Sequence, residues 1–348
     1  MRFTNRLGYC LATGIPVIVL AACTGGSSSG ASGPPPEVSS IVLDTVPTGD
    51  TAGIYIAQDD GYFARQGLSV KIVPVGGAEY GMGDLQTGRA QLIEGNYVSF
   101  ILAQTARRFA APDPAKTRTT EPSRPISMRI IADTSQLQPG NQALYVLPGA
   151  PYKTVQDLVR DHATVGVNAL RNIGTLLLGS LLASFGEKVN AVRQVPESLS
   201  QLPRLLAQHK ISAAWLPEPL GTVAEQEYGA TALADFDQGP LQDFPIGTVA
   251  GSTSWVRSHP NTVAAFLRAM KQGQQTADTD RAAVEQALVK NGVAPSQEIA
   301  ATMSFPTYPL VMDLPVMQRV PDAMYEFGLI GERYNIAGMI QPENGEVG

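Results

Sequence analysis

The chain has 348 residues, 44% of them apolar and 16% charged, a mix that builds a packed core and excludes both a membrane bundle and a disordered chain. Lys and Arg number 25 against 31 Asp and Glu, and the net charge of −6 excludes a broad nucleic-acid surface, which needs a basic face. It leaves room for an anionic ligand, since a binding site is local and net charge is global. The length allows two domains of ordinary size.

Arg2 and Arg6 precede an uncharged, mostly apolar run over 7–22. At 16 residues it falls short of the roughly 20 needed to span a bilayer, and Gly14 and Pro16 interrupt it. Residues 1–22 therefore read as a cleaved leader, with small residues before Cys23 as a processing site requires. Leu20-Ala21-Ala22-Cys23 resembles the lipobox of bacterial lipoproteins, which implies that Cys23 carries lipid and becomes the mature N-terminus. Arg2 and Arg6 then leave and no acid does, so 23 basic face 31 acidic side chains, a net charge of −8. Cys10 leaves too, so the mature fold has neither a disulfide nor thiol chemistry. Residues 23–37 read as a tether: from Thr24 to Pro36 the chain is mostly Gly, Ser and Ala and then three prolines, a coil that reaches on the order of 20 Å.

The folded part opens at 38 with a buried strand over 39–43, followed by turn and cap chemistry at Thr48-Gly49-Asp50-Thr51. A short helix from 54 closes at Gly61, and 68–73 alternates as a second strand. A short helix over 84–88, a strand over 91–93 and a helix over 98–109 follow. Residues 110–125, rich in Pro, Thr and charge, read as a surface loop, and 128–132 as a strand. After a break over 135–140 a second series begins: strand 144–147, helix 155–161, strand 164–167, helix 174–185, strand 192–195, helix 199–208, strand 212–215. A second crossing falls at 243–247, with helices over 261–275, 281–290 and 316–327 beyond it. Alternating strands and helices predict an α/β protein with largely parallel sheets. The simplest architecture is two Rossmann-like lobes that the chain passes between twice. Lobe I takes 38–140 with 246–348, and lobe II takes 141–245.

Gly61-Tyr62-Phe63 followed by Gly67-Leu68-x-Val70 resembles the opening of the solute-binding proteins of ABC importers for nitrate, sulfonate and taurine, and of the related thiamine-precursor binders. Leu85-Gln86-Thr87-Gly88-Arg89-Ala90 and Ala213-Ala214-Trp215-Leu216-Pro217-Glu218-Pro219 add to the resemblance, which spans about 38–327. It implies a periplasmic-binding-protein type II fold, two lobes on a double-crossover hinge. It also implies a small solute, an ABC permease with its ATPase as partner, and an extracytoplasmic monomer held at the membrane by its N-terminal lipid. Read as residues alone, Gly61-Tyr62-Phe63 is scaffold, a helix closed at glycine with two rings buried beside the next strand.

Trp215 ends a strand, where strand carboxyl ends face the ligand crevice; it either touches ligand or fills core. Glu218, between two prolines, is either at the cleft mouth or a solvated loop carboxylate. The helix start after strand 164–167 offers free backbone N–H groups beside Asn172 and Thr175, a seat for an anion, and Arg171 adds a planar fork. The alternative is that Asn172 merely caps the helix and Arg171 is solvated. Thr51 with Tyr55, and Asn96 with Tyr97, hold the matching positions in the first lobe, while Asn141 and Gln142 stand at the first crossing. An anionic solute of the sulfonate, taurine or nitrate class is the leading expectation, with a pyrimidine and an aromatic carboxylate left open.

Enzyme readings find little. His162, His209 and His259 have no metal-ligand spacing, and neither a Gly-x-Ser-x-Gly elbow nor a P-loop is present. Gly76-Gly77 and Gly81-x-Gly83 read as a mobile loop, not a dinucleotide fingerprint. The thiamine-pyrimidine enzymes that resemble these binders use a cysteine-rich motif absent here. The expectation is a binding protein with no catalytic residue, metal or cofactor; a sensor lipoprotein on the same fold is the rival without a transport role.

Overall fold

A computed structural model describes residues 33–105 and 126–341, and among them the strands pair into two five-stranded sheets. The leader, Cys23, most of the tether and the 110–125 loop lie outside the described residues. The first sheet grows from β1 (Ser40–Thr45), α1 (Ala52–Asp59), α2 (Tyr62–Arg65), β2 (Ser69–Pro74), α3 (Ala78–Thr87), β3 (Leu92–Asn96), α4 (Tyr97–Gln104) and β4 (Met128–Gln136). The chain then crosses into β5 (Gln142–Val146), α5 (Val155–Arg160), β6 (Thr164–Val167), α6 (Ile173–Ala183), β7 (Arg193–Pro196), α7 (Leu202–Ala207), β8 (Ala213–Pro217), α8 (Leu220–Tyr228) and β9 (Thr231–Asp235). It returns through β10 (Pro245–Ser252) and ends in α9 (Thr253–Ser258), α10 (Pro260–Thr279), α11 (Arg281–Lys290), α12 (Gln297–Thr302) and α13 (Leu314–Glu326).

The sheets share one plan, with strand orders β2-β1-β3-β10-β4 and β7-β6-β8-β5-β9. β1, β2 and β3 run parallel, as do β6, β7 and β8, but β10 and β5 lie antiparallel to both of their neighbours. The expectation of largely parallel sheets is corrected at this strand. β4 runs toward the second sheet, so the chain enters that sheet at the facing edge and β5 must run back away from it; β9 and β10 repeat the move in reverse. The two crossings lie side by side: Leu137 N donates to the Phe244 carbonyl at 2.9 Å, and Phe236 N to the Gln142 carbonyl at 3.1 Å.

Local chemistry explains most of the elements. Ile41 and Leu43 are buried in β1, as the apolar run of a covered parallel strand requires. Thr154 and Asp157 form a reciprocal capping box that starts α5. α6 is buried along 173–182, apolar all round because it lies in a seam between the sheets. That seam is continuous: Ile93 and Phe100 on one side, Met317, Val320 and Met324 of α13, and Leu176 and Leu181 on the other share one apolar cluster.

Other differences from the sequence reading have plain causes. Gly81 and Gly83 belong to α3 and not to a mobile loop; a Cβ at Gly81 would stand 2.4 Å from Ile93 Cδ1, so glycine lets the helix rest on β3. β4 continues to Gln136, past the expected break at 135. The sequence marks the start of β10 only as a crossing. Its glycines and small residues hide a strand buried between β3 and β4. The pattern also missed α8, β9, α9 and α12, which are short.

α1 and α10 cross at two glycines. A Cβ on Gly273 would lie 2.0 Å from the Gly53 carbonyl oxygen and 2.9 Å from Ala57 Cβ. Alanine would favour the helix by about 1 kcal/mol, but forcing two backbones apart costs about 1–3 kcal/mol or more. Gly273→Ala is expected to lower the melting temperature; calorimetry showing an unchanged or higher value would contradict this close approach.

Candidate functional site

The carboxyl ends of the parallel strands in both sheets face one cleft, which narrows to a cavity of about 40 Å³. Its walls are the segments that sheet topology delivers there. Val46 and Thr48 follow β1, Gly77 and Ala78 follow β2, and Glu94 to Asn96 end β3. Asn168 follows β6, Leu199 follows β7, and Trp215 and Pro217 end β8. The antiparallel strands contribute their first residues, Gln142 from β5 and Ile246 with Gly247 from β10. This is where ligands bind in open α/β sheets.

Of the residues singled out from sequence, Asn96, Gln142 and Trp215 line this cavity. Trp215 Nε1 donates to Gln142 Oε1 at 3.1 Å, which fixes the indole. A Cβ at Gly174 would meet the indole at 2.8 Å, so glycine at the head of α6 leaves room for the ring. Asn96 caps α4 by accepting from Ser99 N at 2.9 Å.

The other candidates are placed elsewhere, with work of their own. Arg171, expected to fork an anion, gives its guanidinium to the Leu329 carbonyl and is absent from the described lining. Thr175 accepts from Arg171 N and donates to Gln194 Oε1 at 2.7 Å, tying α6 toward β7. Asn172 is buried, caps α6, and accepts from Ser99 Oγ at 3.1 Å across the two halves. Thr51 Oγ1 donates to the Thr48 carbonyl, Tyr55 is buried in the apolar packing of α1, and the Tyr97 hydroxyl donates to Asp133 Oδ1. The Asn141 carbonyl accepts from Glu218 N. Glu218 is buried and not a solvated loop carboxylate: its oxygens accept from Thr222 N and Oγ1 at 3.1 and 2.8 Å. Its carbonyl accepts from Gly49 N at 3.0 Å, a bond that spans the cleft.

Sequence reasoning missed the carboxylates in the wall. Asp50 is 7% exposed; its Oδ2 accepts from Thr48 Oγ1 at 3.0 Å and its Oδ1 has no hydrogen-bond partner. Glu94, 2% exposed, accepts from Val46 N at 3.0 Å. Burial raises the Asp50 carboxyl, partly offset by the polar hydroxyls of Ser135 and Thr48 beside it. Burial raises Glu94 further, and the charge of Asp50 adds to it. Glu79, whose carboxyl folds back against Gly77, is raised by burial as well. The signal was there in Glu94: a carboxylate inside an apolar strand, beside a glycine, is costly unless used. Among the described residues that line the cavity there is no Lys, Arg or His. Among the described residues, too, no group of three or more His, Cys, Asp or Glu could hold a metal ion.

These features define a two-lobed periplasmic-binding-protein fold. Its similarities to solved structures agree. The periplasmic nitrate-binding protein NrtA from Synechocystis PCC 6803 superposes with a TM-score of 0.69 at 15% identity, over 85% of this chain and 83% of that one. The alkanesulfonate-binding protein SsuA from Xanthomonas axonopodis pv. citri gives 0.67 at 15% identity, over 88% and 99%. The ligand-binding component of an ABC-type import system from Staphylococcus aureus gives 0.67 at 13%, over 88% and 97%. No curated protein matches by sequence. The NMT1-like family model matches residues 125–291 and the NMT1/THI5-like model residues 48–97. Between them the two models match more than half of the chain, which belongs to this NMT1/THI5-like family, as its Gly-Tyr-Phe motif implies.

The buried acids set a pH dependence. Desolvation lifts Glu218 from 4.5 to about 7, against the pull of the Thr222 hydrogen bonds, and lifts Asp133 from 3.8 to about 8 with the charge of Asp313 adding. Both folded values exceed the unfolded ones, so the native state holds more protons in between. Their contribution to stability is complete below pH 4 and is lost as pH rises toward 8. The melting temperature of the unliganded protein should fall from pH 5 to 8, and less steeply in Glu218→Gln. Calorimetry with a rising slope would contradict the assignment.

Proposed function

We propose that this protein is the extracytoplasmic solute-binding lipoprotein of an ABC importer. Its lobes, 38–140 with 246–348 and 141–245, close on a small solute and present the closed form to a permease. The observation that carries the reading is the cavity itself, walled by strand ends from both sheets around Asn96, Gln142 and Trp215. Hinge closure about two adjacent crossings is the motion such an arrangement allows. A bound solute shifts the open–closed balance by its extra affinity for the closed form. The buried seam through α13 lies beside the pivot, so the free edges β2 and β7 move most.

The leader over 1–22 and Cys23 support anchoring through an N-terminal lipid, with residues 23–37 as a tether that keeps the protein near its permease. An anion of the nitrate or sulfonate kind, the solute class that the resemblance implies, finds no basic side chain in the described lining. A hydrogen-bonding pyrimidine meets no such obstacle, and the acceptor-rich wall favours it over the anions.

Two measurements test this reading. Trp215 and Trp255 are the only tryptophans, and Trp255 stacks on His259 away from the lining. In Trp255→Phe, a bound solute should change Trp215 emission saturably, without turnover; chemical conversion of the solute would speak for an enzyme. In its host, Cys23→Ser should abolish lipid incorporation and release the protein from the membrane fraction. Full membrane retention would remove the anchor from the account.

A further inference from the structure

The cleft's chemistry narrows the solute class further, an inference that rests on the solute-binding reading. Its described lining holds Asp50 and Glu94, both more than nine-tenths buried, and no cationic side chain. Asp50 Oδ1 lies in that wall with no partner, as does the side-chain amide oxygen of Asn168, Oδ1. An unpaired buried carboxylate oxygen is expensive, so each that survives at a cavity asks for a donor from the cavity. The Thr48 hydroxyl is already spent on Asp50 Oδ2, and the Ser135 hydroxyl beside the carboxyl accepts from Gly247 N at 3.0 Å. The Trp215 indole, locked by Gln142, stands in the same wall, and an indole is the aromatic that attracts cations best. A cavity of about 40 Å³ has room for a group of a few heavy atoms.

We infer that the cleft binds a small organic cation rich in N–H donors, its charged group held by Asp50 and Glu94 and flanked by Trp215. An ammonium, amidinium or guanidinium group supplies the missing donors and neutralises the carboxylates in one contact. An anion in the same place would meet two carboxylates at close range and leave Asp50 Oδ1 without a donor.

The test uses the purified protein with guanidinium and methylammonium on one side and nitrate and methanesulfonate on the other. Calorimetry and Trp215 emission in Trp255→Phe both serve as readouts. At least one cation should bind saturably and neither anion should. Asp50→Asn should weaken the cation by about 30-fold or more, the loss expected when one member of a buried charge pair is removed. Asp50→Glu should recover part of it. Glu94→Gln provides a second variant should Asp50→Asn fold poorly, and thermal melts confirm folding for each. Binding of nitrate or methanesulfonate, tightened by Asp50→Asn, would overturn the cation assignment while leaving the solute-binding reading intact. Failure of both cations to bind the folded protein would also overturn it. Turnover of any probe would instead strike the solute-binding reading itself.

Discussion

The cleft is organised around a cost: two carboxylates, Asp50 and Glu94, have been carried out of water into a wall that offers them no cation. In a low-dielectric site such groups hold protons or find a partner. Their raised affinity for protons states the cost, and the lone Oδ1 of Asp50 states where a partner belongs. The fold keeps them there because β1 and β3 run parallel and deliver their carboxyl ends to the same edge. Asp50 sits in the turn after one strand and Glu94 on the last residues of the other.

The second sheet repeats the plan and faces its own strand ends toward the first. Trp215, Gln142 and Asn168 thereby become the opposite wall. What makes the walls converge is the crossing of the chain, since β4 and β9 each hand over directly to an antiparallel strand of the other sheet. The halves already touch through Gly49 with Glu218, Ser99 with Asn172, and Gln226 with Thr302. These bonds are few and polar, whereas the seam behind them is apolar and continuous. That asymmetry suits the proposed hinge, which needs a cleft that opens and a back that stays shut.

Much of the fold was legible because its strands are short apolar runs between clear punctuation. β6 and α11 fall where periodicity puts them. β10 was not legible: a strand buried on both faces can be built of Gly, Thr and Ala, which carry no period. Nor was α3, whose glycines make a close helix–strand contact and mimic a loop. In the site, Trp215 and Gln142 could be placed by strand ends and crossings alone. Arg171 could not be, because its destination, the Leu329 carbonyl, is 158 residues further along the chain. Asp50 hid inside cap chemistry, since Thr-Gly-Asp-Thr serves a helix start equally well whether or not its carboxylate faces a cavity.

The most direct test of closure on these carboxylates is a distance between the two edges farthest from the crossings. Lys71 on β2 and Arg193 on β7 are exposed edge positions, and cysteines there accept spin labels without disturbing the core. Pulsed electron spin resonance should show a broad distance distribution in the free protein that shortens and sharpens with guanidinium. The same shift should be missing with nitrate. A distribution indifferent to guanidinium, or one that contracts with nitrate alone, would contradict the account.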